Sequence, residues 1–167
     1  MTPPVRIDET HALIEKMVRR SLTVAVAESL TGGLLVAELI RIPGASRVVR
    51  GGVVAYATDL KASLLGVDNE ILSARGPVDP EVAIQMAHGV RHRLGEGPDA
   101  AAWGVSTTGV AGPGSQDGHP AGTVFLGFAS KDGAVSRRLH LDGDRDSVRQ
   151  QTVAAAIRLM LETLEQN

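Results

Sequence analysis

The sequence contains no cysteine. That absence removes a disulfide framework, a thiolate nucleophile and any Cys-ligated metal. Aromatic residues make up only 2% of the chain, so Trp103 and Tyr56, each the sole residue of its type, are positions worth locating. No apolar stretch approaches the roughly 18 residues of a membrane span, and the first residues lack the basic segment and apolar core of a secretory leader. A cytoplasmic location without membrane contact is the expectation. Neither charge is in excess: a formal net charge of -2 and a pI near 6.2 give no long-range attraction to phosphate backbones, so nucleic acid is not an expected partner.

What is present is enough for one core. At 167 residues with 43% hydrophobic content, the chain is long enough to bury a single core and short for two, so residues 1–167 read as one domain. Leu13, Ile14, Met17 and Val18 make the inner face of a helix over residues 8–20, and the Val and Ala run of residues 22–27 reads as a buried strand. Leu35, Val36, Leu39 and Ile40 give the next helix its inner face, which Pro43 and Gly44 end. Residues 48–57 carry one or two short strands. Thr58 and Asp59 offer a cap for a short helix bearing Lys61, closed by Gly66. Asp79-Pro80-Glu81 starts a helix with a stripe of Ala83, Met86, Ala87, Val90 and Leu94.

Residues 100–105 form a small-residue strand that ends in Ser106, Thr107, Thr108 and Gly109 and a glycine-rich loop through Gly122. Two strands around Lys131-Asp132-Gly133 predict an antiparallel hairpin, and Asp144 caps a long final helix. Alternating helices and strands plus one hairpin argue for a three-layer α/β/α sandwich with a mixed sheet. Ligands in such sheets gather at strand C-terminal ends, where the Ser29 loop and the Thr107 to Gly122 loop both fall.

Ser29, in the stretch AESLTGG (residues 27–33), admits two readings. It is either a helix cap or a hydroxyl set among helix-start N–H groups that lack intrahelical partners, where an anion or a reactive oxygen is stabilised. Gly32 and Gly33 favour the second by allowing close backbone approach. The spacing fits neither a phosphate loop of the G-x-x-x-x-G-K-[ST] type nor a G-x-S-x-G elbow. A serine nucleophile needs a base, and the histidines serve poorly, because His88 and His92 share the polar face of their helix with Glu81 and Gln85. Lys61 could be that base if burial or neighbouring cations depress its pKa, or it could be an ordinary exposed lysine.

AESLTGG, PGAS (43–46), RGGVVAY (50–56), K-x-x-L-L-G-V (61–67), TTGVAGP (107–113) and G-T-V-F (122–125) together resemble the CinA C-terminal domain, the family of nicotinamide-nucleotide amidohydrolases of the PncC type. The likeness runs in one order from about residue 8 to residue 165. It implies deamidation of nicotinamide mononucleotide to nicotinate mononucleotide and ammonia, without metal or cofactor, by a homo-oligomer. Carried onto this chain, Ser29 would be the nucleophile, Lys61 its base and Tyr56 a hydrogen-bonding partner near both. Thr31, Gly32, Gly33, Thr107, Thr108 and Gly109 would contact substrate, and Arg145 would meet the nucleotide phosphate. Many relatives carry this domain behind a second one resembling molybdopterin-binding folds, whereas this chain reads as a stand-alone copy. In residues 114–120, GSQDGHP, His119 stands where many relatives have lysine, which leaves room for an alternative: a nucleotide-binding or regulatory module without turnover.

Overall fold

A computed structural model describes residues 8–166; the proline pair Pro3-Pro4 ahead of the first predicted helix lies outside them. The chain runs α1 (Glu9–Arg20), β1 (Val24–Glu28), α2 (Leu34–Ile40), a 3₁₀ turn, β2 (Val49–Val54), α3 (Thr58–Leu65), α4 (Asn69–Arg75), α5 (Pro80–Arg93), β3 (Trp103–Gly109), β4 (Thr123–Ser130), β5 (Gly133–His140) and α6 (Arg145–Gln166). One five-stranded sheet has the order β2-β1-β3-β4-β5. Strands β1, β2 and β3 are parallel, and β4 and β5 form the expected antiparallel hairpin.

The alternating side chains of β1 explain the two helical layers. Val24 and Val26 join Leu13, Met17, Leu35, Leu39, Ile157 and Met160 on the face covered by α1, α2 and α6. Ala25 and Ala27 face Leu65, Met86 and Val90 from α3 and α5. Small residues are required on that second face because α5 lies almost in backbone contact with the sheet: a Cβ on Gly104 or Gly127 would collide with the carbonyls of Ala87 or Ala83. The Ser106 hydroxyl donates to that same Ala83 carbonyl at 2.6 Å.

Local signals placed most helices. Asp79 and Asp144 each accept a backbone N–H at a helix start, as predicted caps should, and Asp8 does the same at the start of α1. Four expectations are corrected. Helix α4, capped by Asp68, has no counterpart in the sequence reading. The cap position of α3 is Ala57, one residue before Thr58, and it offers no side-chain cap. Ile40, expected on the inner face, is the last residue of α2 and is 61% exposed, while Leu35 and Leu39 carry the inner face. Finally, β3 continues through Ser106, Thr107, Thr108 and Gly109 instead of ending before them. Those hydroxyls stay buried because each has a distant partner: Ala83, Thr31 and Pro77 for Ser106, Thr107 and Thr108.

Candidate active site

The C-terminal ends of the three parallel strands lie level with one another. Ser29 N–H donates to the Thr107 carbonyl and Ala55 N–H to the Glu28 carbonyl, both at 2.9 Å, so the residues following β1 and β2 and the last residues of β3 share one rim. A cleft of about 340 Å³ opens there. Its walls include Ser29, Tyr56, Lys61, Thr108, Gly109 and Arg145. The side chains of the other predicted contacts are not among its walls. Thr31 and Thr107 are fully buried and share a 2.8 Å hydrogen bond with each other, while Gly32 and Gly33, both at positive φ, shape the turn below the rim.

The centre of the cleft is a buried pair. Lys61 is 1% exposed, and its Nζ donates to Ser29 Oγ at 2.9 Å, to the Ala55 carbonyl at 2.7 Å and to the Tyr56 carbonyl at 3.3 Å. An ammonium satisfies all three acceptors. A neutral amine keeps two hydrogens on the carbonyls and turns its lone pair toward the Ser29 hydroxyl, so one geometry serves both protonation states. Burial pushes the Lys61 pKa down from 10.5 to about 8. The expected contribution of neighbouring cations is not part of that shift; removal from water carries it.

That shift has a consequence for stability. The unfolded chain keeps the Lys61 proton up to about pH 10.5, whereas the folded chain releases it near pH 8. Between those values the unfolded state binds more protons, so unfolding free energy is expected to rise with pH, by about 3 kcal/mol across the whole window. Denaturant unfolding of wild type and Lys61→Met between pH 7.5 and about pH 10.5 checks this. The rise should be absent from the variant, and parallel curves would refute it.

Glu28 is the residue that sequence reasoning missed. Its carboxylate is fully buried and accepts N–H groups from Gly33 and Leu35 on Oε2 (3.1 and 3.0 Å) and from Val36 on Oε1 (2.8 Å). The start of α2, expected to hold an anion or a reactive oxygen, is therefore already occupied by an internal carboxylate. Ser29 is not its cap either, because the cap position is Gly33 and the Ser29 hydroxyl belongs to Lys61. The signal was in AESLTGG all along: a charged residue ends an apolar run just before a helix whose own N-terminus offers no polar cap.

Tyr56 divides its groups between the two cations. Its carbonyl meets Lys61, while its phenol, on a side chain that is 60% exposed, accepts from Arg145 Nη2 at 3.0 Å. Arg145 Nη1 donates to the Gly112 carbonyl at 2.7 Å. The phenol is thus tied to Arg145 and not to Ser29 or Lys61. His119 does not line the cleft; its ring stands edge-on to Phe125, with centroids 6.4 Å apart. His88 and His92 lie exposed on α5, as expected, with ring centroids 4.6 Å apart. Among the described residues, no group of three His, Asp or Glu side chains is placed to hold a metal ion, and no helix is long and apolar enough to cross a membrane.

Fold and site together define an α/β protein with a buried serine–lysine pair at the C-terminal ends of its parallel strands. The chain belongs to the CinA C-terminal domain family, which matches residues 8–164. It is 51% identical over 144 residues to a CinA-like protein of Frankia casuarinae, covering 86% of this chain and 32% of that relative. The chain spans about a third of the length of the curated relatives it matches. Among solved structures, a CinA superfamily protein from Klebsiella pneumoniae superposes with a TM-score of 0.90 at 28% identity, covering 96% of this chain and 98% of that one. A competence/damage-inducible protein from Agrobacterium tumefaciens gives 0.82 at 35% identity, with coverage of 94% and 96%.

Proposed function

We propose that the protein is an amidohydrolase that converts nicotinamide mononucleotide to nicotinate mononucleotide and ammonia. The observation that carries this reading is the 2.9 Å contact between Lys61 Nζ and Ser29 Oγ, with the lysine held near pKa 8 by burial. An amide is a poor electrophile, so its cleavage needs an activated oxygen, a stabilised oxyanion and a proton for the departing nitrogen. Neutral Lys61 takes the Ser29 proton as Oγ attacks the carboxamide carbon. The tetrahedral intermediate collapses as Lys61 returns that proton to the nitrogen, which leaves as ammonia. Lys61 then deprotonates a water that hydrolyses the Ser29 ester, releasing the acid and restoring the serine. The N–H groups of Leu30 and Thr31, beside Ser29, have no intramolecular partner among the described residues and can donate to the oxyanion.

Of the two cations on the cleft's described walls, Lys61 faces Ser29 and Arg145 has no carboxylate partner among the described residues. Arg145 suits one phosphate group through its planar fork of donors. Tyr56 holds each cation in place, and Thr108 and Gly109 form the wall at the end of β3. A homo-oligomer is part of the same proposal.

Incubating wild type with nicotinamide mononucleotide tests the reading directly. Stoichiometric ammonia and nicotinate mononucleotide support it. Tight mononucleotide binding with no ammonia at any pH from 7 to about pH 9.5 would replace it with the non-catalytic binding module, a reading favoured by the GSQDGHP loop that places Ser115 and Gln116 on the cleft wall. Ammonia from a different small amide, but not from the mononucleotide, would keep the chemistry and change the substrate.

A further inference from the structure

Arg149 lies one turn beyond Arg145 on α6, yet its guanidinium does not line the cleft. It reaches the turn that follows Ser29. Nε donates to the Leu30 carbonyl at 3.0 Å and Nη2 to the Thr31 carbonyl at 3.4 Å. The only carboxylate near it among the described residues, Asp146 at 3.4 Å, has a side chain that is 87% exposed, so solvent weakens that ion pair. The Arg149 side chain itself is 27% exposed. Its shortest bond is to the Leu30 carbonyl, in the backbone beside the serine.

Residues 29–32 form a reverse turn, closed by Gly32 N–H donating to the Ser29 carbonyl at 3.2 Å. The central peptide of such a turn, here Leu30–Thr31, is the unit whose orientation distinguishes type I from type II. Flipping it reverses its C=O and N–H while the flanking chain moves little. In a trans peptide the two groups point in opposite directions. Holding the Leu30 carbonyl on the α6 side therefore commits the Thr31 N–H to the side away from Arg149. The flanks of the turn are fixed independently: Glu28 grips the N–H groups of Gly33, Leu35 and Val36, and the Thr31 hydroxyl pairs with Thr107. None of those contacts holds the Leu30 carbonyl.

The geometry points to Arg149 as a positioning residue for the reaction at Ser29: it locks the Leu30–Thr31 peptide in one orientation, so that N–H groups of the turn are presented to the oxyanion instead of a carbonyl. The kinetic part rests on the acyl-transfer reading above, while the conformational part stands without it. A carbonyl swung into that space would repel the developing negative charge. A peptide free to flip would spend part of its time without a donor there. Arg149 touches no substrate in this role.

Arg149→Met removes the donors and keeps most of the side-chain length, and Arg149→Lys keeps one positive donor. In Arg149→Met, kcat is expected to fall about 10²-fold, the scale of losing one oxyanion donor, with KM changed less than about threefold. Arg149→Lys should recover part of that loss. Amide ¹H–¹⁵N resonances of Leu30 and Thr31 should shift or broaden in Arg149→Met, while those of β3 stay in place. Wild-type kcat together with unshifted Leu30 and Thr31 amides would overturn the inference and leave Arg149 as a packing residue, even if the melting temperature dropped. Should wild type release no ammonia, the proposed function fails, and the amide resonances with the rate of Ser29 labelling by a fluorophosphonate still decide the inference. Equal labelling rates and unshifted amides would overturn it. If Arg149→Met does not fold, the same measurements on Arg149→Lys decide it.

Discussion

Lys61→Met is expected to lower kcat for ammonia release by at least about 10³-fold, within the range for loss of a positioned general base. Ser29→Ala should cost as much, and the double variant no more than either single one, because the two groups act in one proton transfer and neither works alone. The comparison is sharper than either substitution. Multiplicative losses in the double variant would mean that the two residues contribute separately, and the 2.9 Å contact would not be the catalytic unit. Methionine preserves the length and apolar stem of Lys61, so the inner layer of α3 and α5 keeps its packing. The pH dependence follows from the same burial. Below about pH 8 the folded protein holds Lys61 protonated and unable to accept from Ser29, so kcat/KM in wild type should fall as pH drops through that value and level off above it. A flat profile from pH 6.5 to about pH 9 would leave Lys61 without the role of base.

The second large effect is expected at Glu28, where the reading concerns stability first. Glu28→Ala should cost about 4 kcal/mol, because three backbone donors lose their acceptor inside the fold and each buried donor left unsatisfied costs roughly 1–3 kcal/mol. For a chain of this size that corresponds to a fall in Tm of roughly 8–16 °C. Glu28→Gln keeps the volume and one acceptor oxygen but presents an NH₂ group toward backbone N–H groups, so it should fall between the two. Denaturant unfolding of the three proteins measures the series. A loss below about 1 kcal/mol in Glu28→Ala would mean that water replaces the carboxylate without difficulty, and that the start of α2 does not depend on it.

How much of this was legible in the sequence depends on how local the cause is. Caps at Asp79 and Asp144 act on N–H groups two or three residues away, and the hairpin is set by its own turn; both could be read directly. The continuation of β3 through Ser106, Thr107 and Thr108 could not. Three hydroxyl residues before a glycine look like a loop, and only partners 23 to 76 residues away make their burial tolerable. The seven-residue α4 is too short to show a period. Within the site, Ser29, Tyr56, Lys61 and Arg145 were named through motif resemblance, and the fold brings all four to one cleft. Nothing near Lys61 in the chain marks it as buried. Its environment is made by the ends of β1 and β2, with Ala55 and Tyr56 supplying carbonyls from the preceding loop. Arg149 is least legible of all, since its partners lie 118 and 119 residues earlier.

The partners of Arg145 carry a further meaning. Its guanidinium rests on a phenol oxygen and a peptide carbonyl, and among the described residues on no carboxylate. An arriving phosphate would therefore compete with two dipoles and would not have to break an ion pair or leave a carboxylate stranded. A guanidinium already committed to an aspartate would have made entry an exchange of one anion for another, with selectivity set by the difference. Here no neighbouring carboxylate among the described residues offsets the attraction, and the Tyr56 side chain on which the guanidinium rests is itself 60% exposed.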